Sequence, residues 1–312
     1  MGKIEAVRHK ARDHVGKRER QSTAPVRVEG KKAVISQLTG AIVRAILVVL
    51  LISTPSILLP GVTSDTAQVV ALVAIFAGAL VVFEYASTFP SLVEFRDAPP
   101  FNRVRFVSLF LTVFLLTVIV RGTYLPTTLT MFVSAIGDLI GRAIDFPYSP
   151  VRLVVLMLPD NTGPAQIALV RSAAGLSYLI SLLTLAIFLI VLRVQGWPAR
   201  GRAFNVWVNM PTFDPTAGGD VVERLTRDSR INIILGFLLP FLIPASVKAA
   251  ATLFTPITLD SPQTLVWTMS AWAFLPASLF MRGIALGRIA EMISEKRRET
   301  APEPSHEGML PA

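Results

Sequence analysis

The sequence predicts an all-α, polytopic transmembrane helical bundle with six spans and an amphipathic helix lying on its outer face. Only 16% of the 312 residues are charged and 52% are hydrophobic, whereas soluble domains carry about 25% charged residues. Six apolar runs are each long enough to cross a hydrocarbon layer of about 30 Å. None of them alternates as a barrel strand does, so each is predicted to cross as a helix.

The predicted spans follow one another from a basic tail, residues 1–37, to a polar tail, residues 289–312. The first is centred on AIVRAILVVLLISTPSILL, and the second follows after the short connection PGVTSD. The third ends at an arginine, the fourth carries small residues every four positions, and the last two contain prolines. Together they cover about 38–59, 66–88, 104–121, 168–193, 231–254 and 264–286, within a bundle of 38–288.

Lysines and arginines collect in alternate connections, which predicts the orientation. Residues 1–40 hold ten of them and the loop 194–230 holds five, whereas 60–65 and 255–263 hold none. We therefore expect a multi-pass protein of the cytoplasmic (inner) membrane with both termini and the loop 194–230 in the cytoplasm. The connection 122–167 is then expected outside.

Residues 126–145 are predicted to form the amphipathic interfacial helix of this outward region, 122–167. Its apolar side chains fall on one side, and Asp138 and Arg142, four residues apart, can pair on another. The alternative is a seventh span, which would reverse the loop 194–230 and is disfavoured by its arginines. In that loop, Asp220 with Glu223 three residues later predicts the start of a helix that continues into the fifth span.

Two charges inside the predicted spans stand at matching depth. Arg44 lies 16 residues before Pro60 and Glu84 lies 19 residues after Asp65, so both fall about 24–29 Å below the outer turn. The hypothesis is an ion pair between Arg44 and Glu84. The alternatives are separate snorkelling to the interface and, less favoured, an ion or proton relay.

Prolines in the fifth and sixth spans predict kinks, because each removes a backbone donor. A packing kink is the favoured interpretation, and a transport path through broken helices is the alternative. The residues of that candidate kink or path are Pro240, Pro244, Ser246, Thr268, Ser270 and Pro276.

The chain has no cysteine, and its histidines, His9, His14 and His306, lie in the tails. We therefore predict no metal site, no cofactor and no thiol chemistry, and no catalytic motif argues for an enzyme. The basic N-terminal tail is explained by topology, by contact with anionic lipid or by a protein partner, and nucleic acid is not expected.

The function expected from these observations is a non-catalytic structural, assembly or accessory subunit of a membrane complex. The alternative is a transporter or channel with a path at the kinked fifth and sixth spans. Small residues at four-residue spacing, such as Ala173, Ser177 and Ser181, predict close helix contacts within the bundle or self-association.

Overall fold

The computed structural model describes residues 26–198, 205–214, 216, 218–253 and 258–300. Most of the predicted basic tail and the last residues of the predicted polar tail lie outside these ranges. Every regular element in the described residues is a helix. In chain order the helices are α1 Val26–Leu58, α2 Ser64–Ala86, α3 Pro99–Gly122, α4 Thr128–Ile144, α5 Pro150–Leu156, α6 Pro164–Gln195, α7 Val206–Asn209, α8 Val221–Ala250 and α9 Pro262–Thr300.

Six of these helices are long and apolar enough to cross a membrane, which confirms the predicted six-span bundle. Their spanning segments are Ser36–Leu58, Ser64–Ala86, Pro100–Gly122, Pro164–Gln195, Val221–Ala250 and Pro262–Thr300. The protein is therefore an integral, multi-pass membrane protein.

Two helices continue well past the predicted ends of their spans. The α8 helix starts at Val221, where the carboxylate of Asp220 caps it by accepting the Val222 N–H at 2.9 Å, as the sequence predicts. The α9 helix runs to Thr300, so residues 289–300 of the predicted polar tail are helical. Leu225 and Ile289 are buried in one hydrophobic cluster, because these extensions pack on one another.

The α3, α6 and α9 helices form the centre of the bundle. Their spanning segments are the most buried, up to 56% for α9, and only 11% of the α2 segment is buried. The hairpin of α1 and α2 packs on α3, the short α4 and α5 pack on α6, and α8 packs along α9. Among the described helices, α2 contacts α1 alone.

Close helix crossings depend on glycines in this centre. A Cβ atom on Gly175 of α6 would lie 2.5 Å from the Cα of Gly141 on α4. A Cβ on Gly236 of α8 would lie 2.8 Å from the carbonyl oxygen of Pro276 on α9. The backbones therefore approach at distances that only glycine allows, as small-residue interfaces in membranes do.

The α4 helix has 17 residues and three distinct sides. Buried Val133, Gly137 and Gly141 contact α3 and α6, whereas Phe132 and Leu139 are exposed. Asp138 and Arg142 pair at 2.9 Å on the polar side, as predicted. Phe132 and Leu139 thus point away from the bundle, as an interfacial helix requires; the depth of α4 in the bilayer stays a prediction.

Candidate functional site

A cluster of buried and half-buried polar groups lies at the end of the bundle that carries the connections 87–98 and 205–220, which we call the basic end. The chain turns back after α2 and wraps its backbone around Glu84, which is 1% exposed. The carboxylate accepts the N–H groups of Ser91, Leu92 and Val93 at 2.9, 2.9 and 3.1 Å, and the Ser91 hydroxyl at 2.5 Å. One side chain thereby fixes the whole turn, since a carboxylate is a strong acceptor for backbone donors.

The structure does not join Arg44 and Glu84 in the hypothesised ion pair. Arg44 donates to the Gly40 carbonyl at 2.7 Å, and its guanidinium carbon lies 4.6 Å from the ring centroid of Tyr85. The two charges do share a depth near the basic end, but the carboxylate is already satisfied by the loop. The loop amides bind the carboxylate in place of Arg44 because the chain folds back over Glu84 directly after α2.

Arg96 caps the C-terminal end of α2 by hydrogen bonding to its last carbonyls. Its Nη1 donates to the carbonyls of Glu84 and Ser87 at 3.1 and 2.6 Å, and its Nη2 donates to the Thr88 carbonyl at 3.3 Å. The last carbonyls of a helix lack intrahelical partners and carry partial negative charge, so a cation there is stabilising. Its side chain is only 8% exposed.

An ion pair between Glu94 and Arg282 connects the loop 87–98 to α9. The guanidinium grips the carboxylate with two bonds, from Nε at 2.6 Å and Nη2 at 2.9 Å, and donates from Nη1 to Asn232 on α8 at 3.2 Å. Thr212 donates to the same carboxylate at 2.9 Å. Burial alone would raise the pKa of Glu94, but the Arg282 and Thr212 contacts outweigh it and hold the pKa below its usual value.

The segment 205–214 completes this end. Asn209 accepts the Asp97 N–H on its side-chain oxygen at 3.0 Å and the Phe95 N–H on its carbonyl at 2.7 Å. Phe95 takes a positive φ of 54°, and its ring is buried against Phe101 at 4.3 Å between centroids. The connections therefore pack as one layer over the helix ends.

The proline pair of α8 forms a closed contact with α9. The α8 helix continues through Pro240 and Pro244. Since Pro244 has no N–H, the Pro240 carbonyl loses its helical partner. The indole Nε1–H of Trp272 donates to that carbonyl at 3.1 Å. A neighbouring helix thereby satisfies the group that the proline freed, as membrane bundles commonly do.

The other residues of the candidate path are not brought together around it. Ser270 is fully buried and its hydroxyl oxygen has no hydrogen-bond partner. Pro276 is buried, Thr268 is half-buried and Ser246 is exposed. Four cavities in the described chain are lined by other residues, and one of them, of about 330 Å³, lies among α3, α4 and α6.

At the opposite end of the bundle, Asp145 lies between two arginines. Its carboxylate oxygens are 2.9 Å from Arg152 Nε and 3.1 Å from Arg171 Nε, and its side chain is 8% exposed. This triad ties α4, α5 and α6 together. Lys248 of α8 pairs at the same end with exposed Asp160 at 3.3 Å.

Three residues central to these contacts were missed by the sequence analysis: Glu94, Asp145 and Trp272. No signal in hydropathy or spacing marks the first two. The free carbonyl at Pro240 did call for a donor, and Trp272 lies in the neighbouring span at comparable depth.

The described residues contain no group of three or more histidine and acidic side chains placed to hold a metal ion. Comparison of the chain with protein-family models, with curated proteins and with solved structures finds no match.

Proposed function

We propose that this integral membrane protein is a non-catalytic structural, assembly or accessory subunit of a larger membrane complex. The observation that carries the proposal is that its buried carboxylates all have partners within the protein. Glu84 is held by loop amides, Glu94 by Arg282, and Asp145 by two arginines. Carboxylates that are hydrogen-bonded or ion-paired in this way define shape, because the protein itself supplies their partners.

The close contact between α8 and α9 is the second observation that supports the proposal. A transport path there needs polar groups that face shared water. Instead, the Pro240 carbonyl bonds to Trp272, and the backbone of α9 lies against Gly236. The prolines therefore serve the packing of two helices, in agreement with the favoured interpretation of the sequence.

The orientation and the membrane belong to the same proposal. The bias of lysine and arginine supports a cytoplasmic membrane with the basic end and both termini in the cytoplasm. The loop layer over the helix ends then faces the cytoplasm, where it offers a rigid surface to a partner. The basic N-terminal tail is proposed to contact anionic lipid beside it.

The test combines a search for a complex with a test of flux. The tagged protein, expressed at its native level, is extracted in mild detergent and its native mass is measured with the identity of each bound chain. We expect a discrete species heavier than the 33.9 kDa chain, with a second polypeptide at fixed stoichiometry. In parallel, proteoliposomes are loaded with pH-sensitive and potential-sensitive dyes, and protein-free liposomes are the control.

We expect both dyes to respond as in the control. A monodisperse single chain that conducts protons, Na⁺ or K⁺ would contradict the proposal and favour the transporter.

A further inference from the structure

Arg105 lies on α3, about 9 Å from Pro99 at the basic end, and its guanidinium is held between two aromatic rings. The guanidinium carbon is 5.2 Å from the centroid of Phe101 and 5.7 Å from that of Phe274 on α9. Planar guanidinium groups stack well on aromatic faces. The rings therefore fix the direction of this cation without neutralising it.

The guanidinium of Arg105 has no acceptor in the described part of the chain. Its Nε is buried without a hydrogen-bond partner, and no described carboxylate lies within ion-pair distance of it. The Glu94 carboxylate acts on Arg105 at longer range but is gripped by Arg282. A buried charged donor without a partner is costly, so an acceptor from outside the chain would stabilise this arrangement.

Tyr85, near the end of α2, lies within electrostatic range of Arg105, and Arg44 of α1 lies over its ring. Arg44 is exposed, covers the ring of Tyr85, and makes its hydrogen bond to a carbonyl of its own helix. The half-buried Tyr85 hydroxyl makes no hydrogen bond to a described residue and lies within electrostatic range of Arg44, Arg96 and Arg105. The cluster of Arg105, Tyr85 and Arg44 thus presents donors and positive charge.

We propose that this cluster binds the phosphate of an anionic phospholipid from the leaflet at the basic end, with Arg105, Arg44 and Tyr85 as its donors. Guanidinium and phosphate match in charge and in hydrogen-bond geometry. A lipid is favoured over a soluble anion because both arginines stand on spanning segments. Val43, which directly precedes Arg44 on α1, is exposed and apolar, and it is available to an acyl chain. The site is separate from the N-terminal tail and from the role proposed above.

The experiment uses the full chain, purified in mild detergent and stripped of lipid. Native mass spectrometry follows the binding of dioleoyl phosphatidylglycerol and, separately, dioleoyl phosphatidylcholine, whose choline adds a positive charge. The Arg105→Gln variant is compared with Arg103→Gln, which removes one charge from an exposed position of the same helix. The uncharged change Tyr85→Phe removes only the hydroxyl, and circular dichroism and size exclusion verify each fold.

We expect the wild-type protein to bind phosphatidylglycerol more tightly than phosphatidylcholine. Arg105→Gln should weaken phosphatidylglycerol binding by on the order of tenfold or more, Tyr85→Phe should weaken it less, and Arg103→Gln should leave it unchanged. Equal losses in Arg105→Gln and Arg103→Gln would overturn the proposal in favour of diffuse surface charge. Displacement of the lipid by millimolar inorganic phosphate would overturn its assignment to a lipid. If Arg105→Gln does not fold, unchanged binding in Tyr85→Phe overturns it.

Discussion

Glu84 is expected to stabilise the protein through the loop that follows α2, independently of Arg44. The Glu84→Ala change removes the acceptor of three backbone N–H groups and of the Ser91 hydroxyl. At about 1 kcal/mol for each stranded N–H, the change should lower the free energy of unfolding by about 3 kcal/mol. Ser91→Ala removes one of these bonds and should cost about 1 kcal/mol.

Two double-mutant cycles separate the possible partners. Glu84→Ala with Ser91→Ala should show a coupling energy of about 1 kcal/mol, because the side chains bond directly. Glu84→Ala with Arg44→Ala should be additive within about 0.5 kcal/mol, since Arg44 bonds to Gly40 and lies on Tyr85.

The assay is equilibrium unfolding in mixed micelles of mild and denaturing detergent. A coupling of more than about 1 kcal/mol between Arg44 and Glu84, with none between Glu84 and Ser91, would refute this reasoning and restore the ion pair expected from the sequence.

Three more predictions concern an ion pair, a hydrogen bond between helices and a close helix crossing. Because the pKa of Glu94 is lowered in the folded protein, its stabilisation is present above the unfolded pKa of about 4.3 and lost as the pH falls through the folded pKa. Unfolding free energies measured from pH 6 downward should therefore fall less steeply in Arg282→Gln than in the wild type; identical slopes would contradict the ion pair. Trp272→Phe should cost about 1 kcal/mol but almost nothing when combined with Pro244→Ala, because the N–H restored at position 244 takes the Pro240 carbonyl. Equal costs in both backgrounds, measured by the same unfolding assay, would exclude that hydrogen bond. Gly175→Ala should lower the free energy of unfolding by about 1–3 kcal/mol, because the added methyl group forces α4 away from α6. Gly163→Ala, at a position with nothing within 4 Å, serves as the unaffected control. Loss of stability only in Gly163→Ala would contradict the close crossing of α4 and α6.

The spans could be predicted because each depends on a local property, the length of an apolar run. The same property does not locate helix ends outside the membrane. The start of α8 was predicted by a capping pattern at Asp220, but the end of α9 was not, since it depends on distant contacts. Arg297 of α9, for example, pairs with Asp220 at 2.8 Å.

The polar contacts were harder to predict because they depend on how connections fold back. Matching depth brought Arg44 and Glu84 to the same end of the bundle, yet the acceptor sites of Glu84 are filled by amides seven to nine residues later in the chain. No periodicity encodes that turn. Similarly, the proline pair revealed a free carbonyl at Pro240, but the donor depends on the register between α8 and α9, which Gly236 sets by close contact.

The account as a whole depends on the absence of a water path along the candidate residues of α9, and the reactivity of one introduced thiol tests it most directly. The chain has no cysteine, so Ser270→Cys places a single thiol at a position with 0% exposure. Ser64→Cys, at the exposed start of α2, is the control. In proteoliposomes treated with a charged, membrane-impermeant thiol reagent on both sides, Ser64→Cys should be labelled and Ser270→Cys should stay unlabelled until detergent unfolds it. Labelling of Ser270→Cys at the rate of Ser64→Cys would show water inside the bundle at α9 and contradict the account.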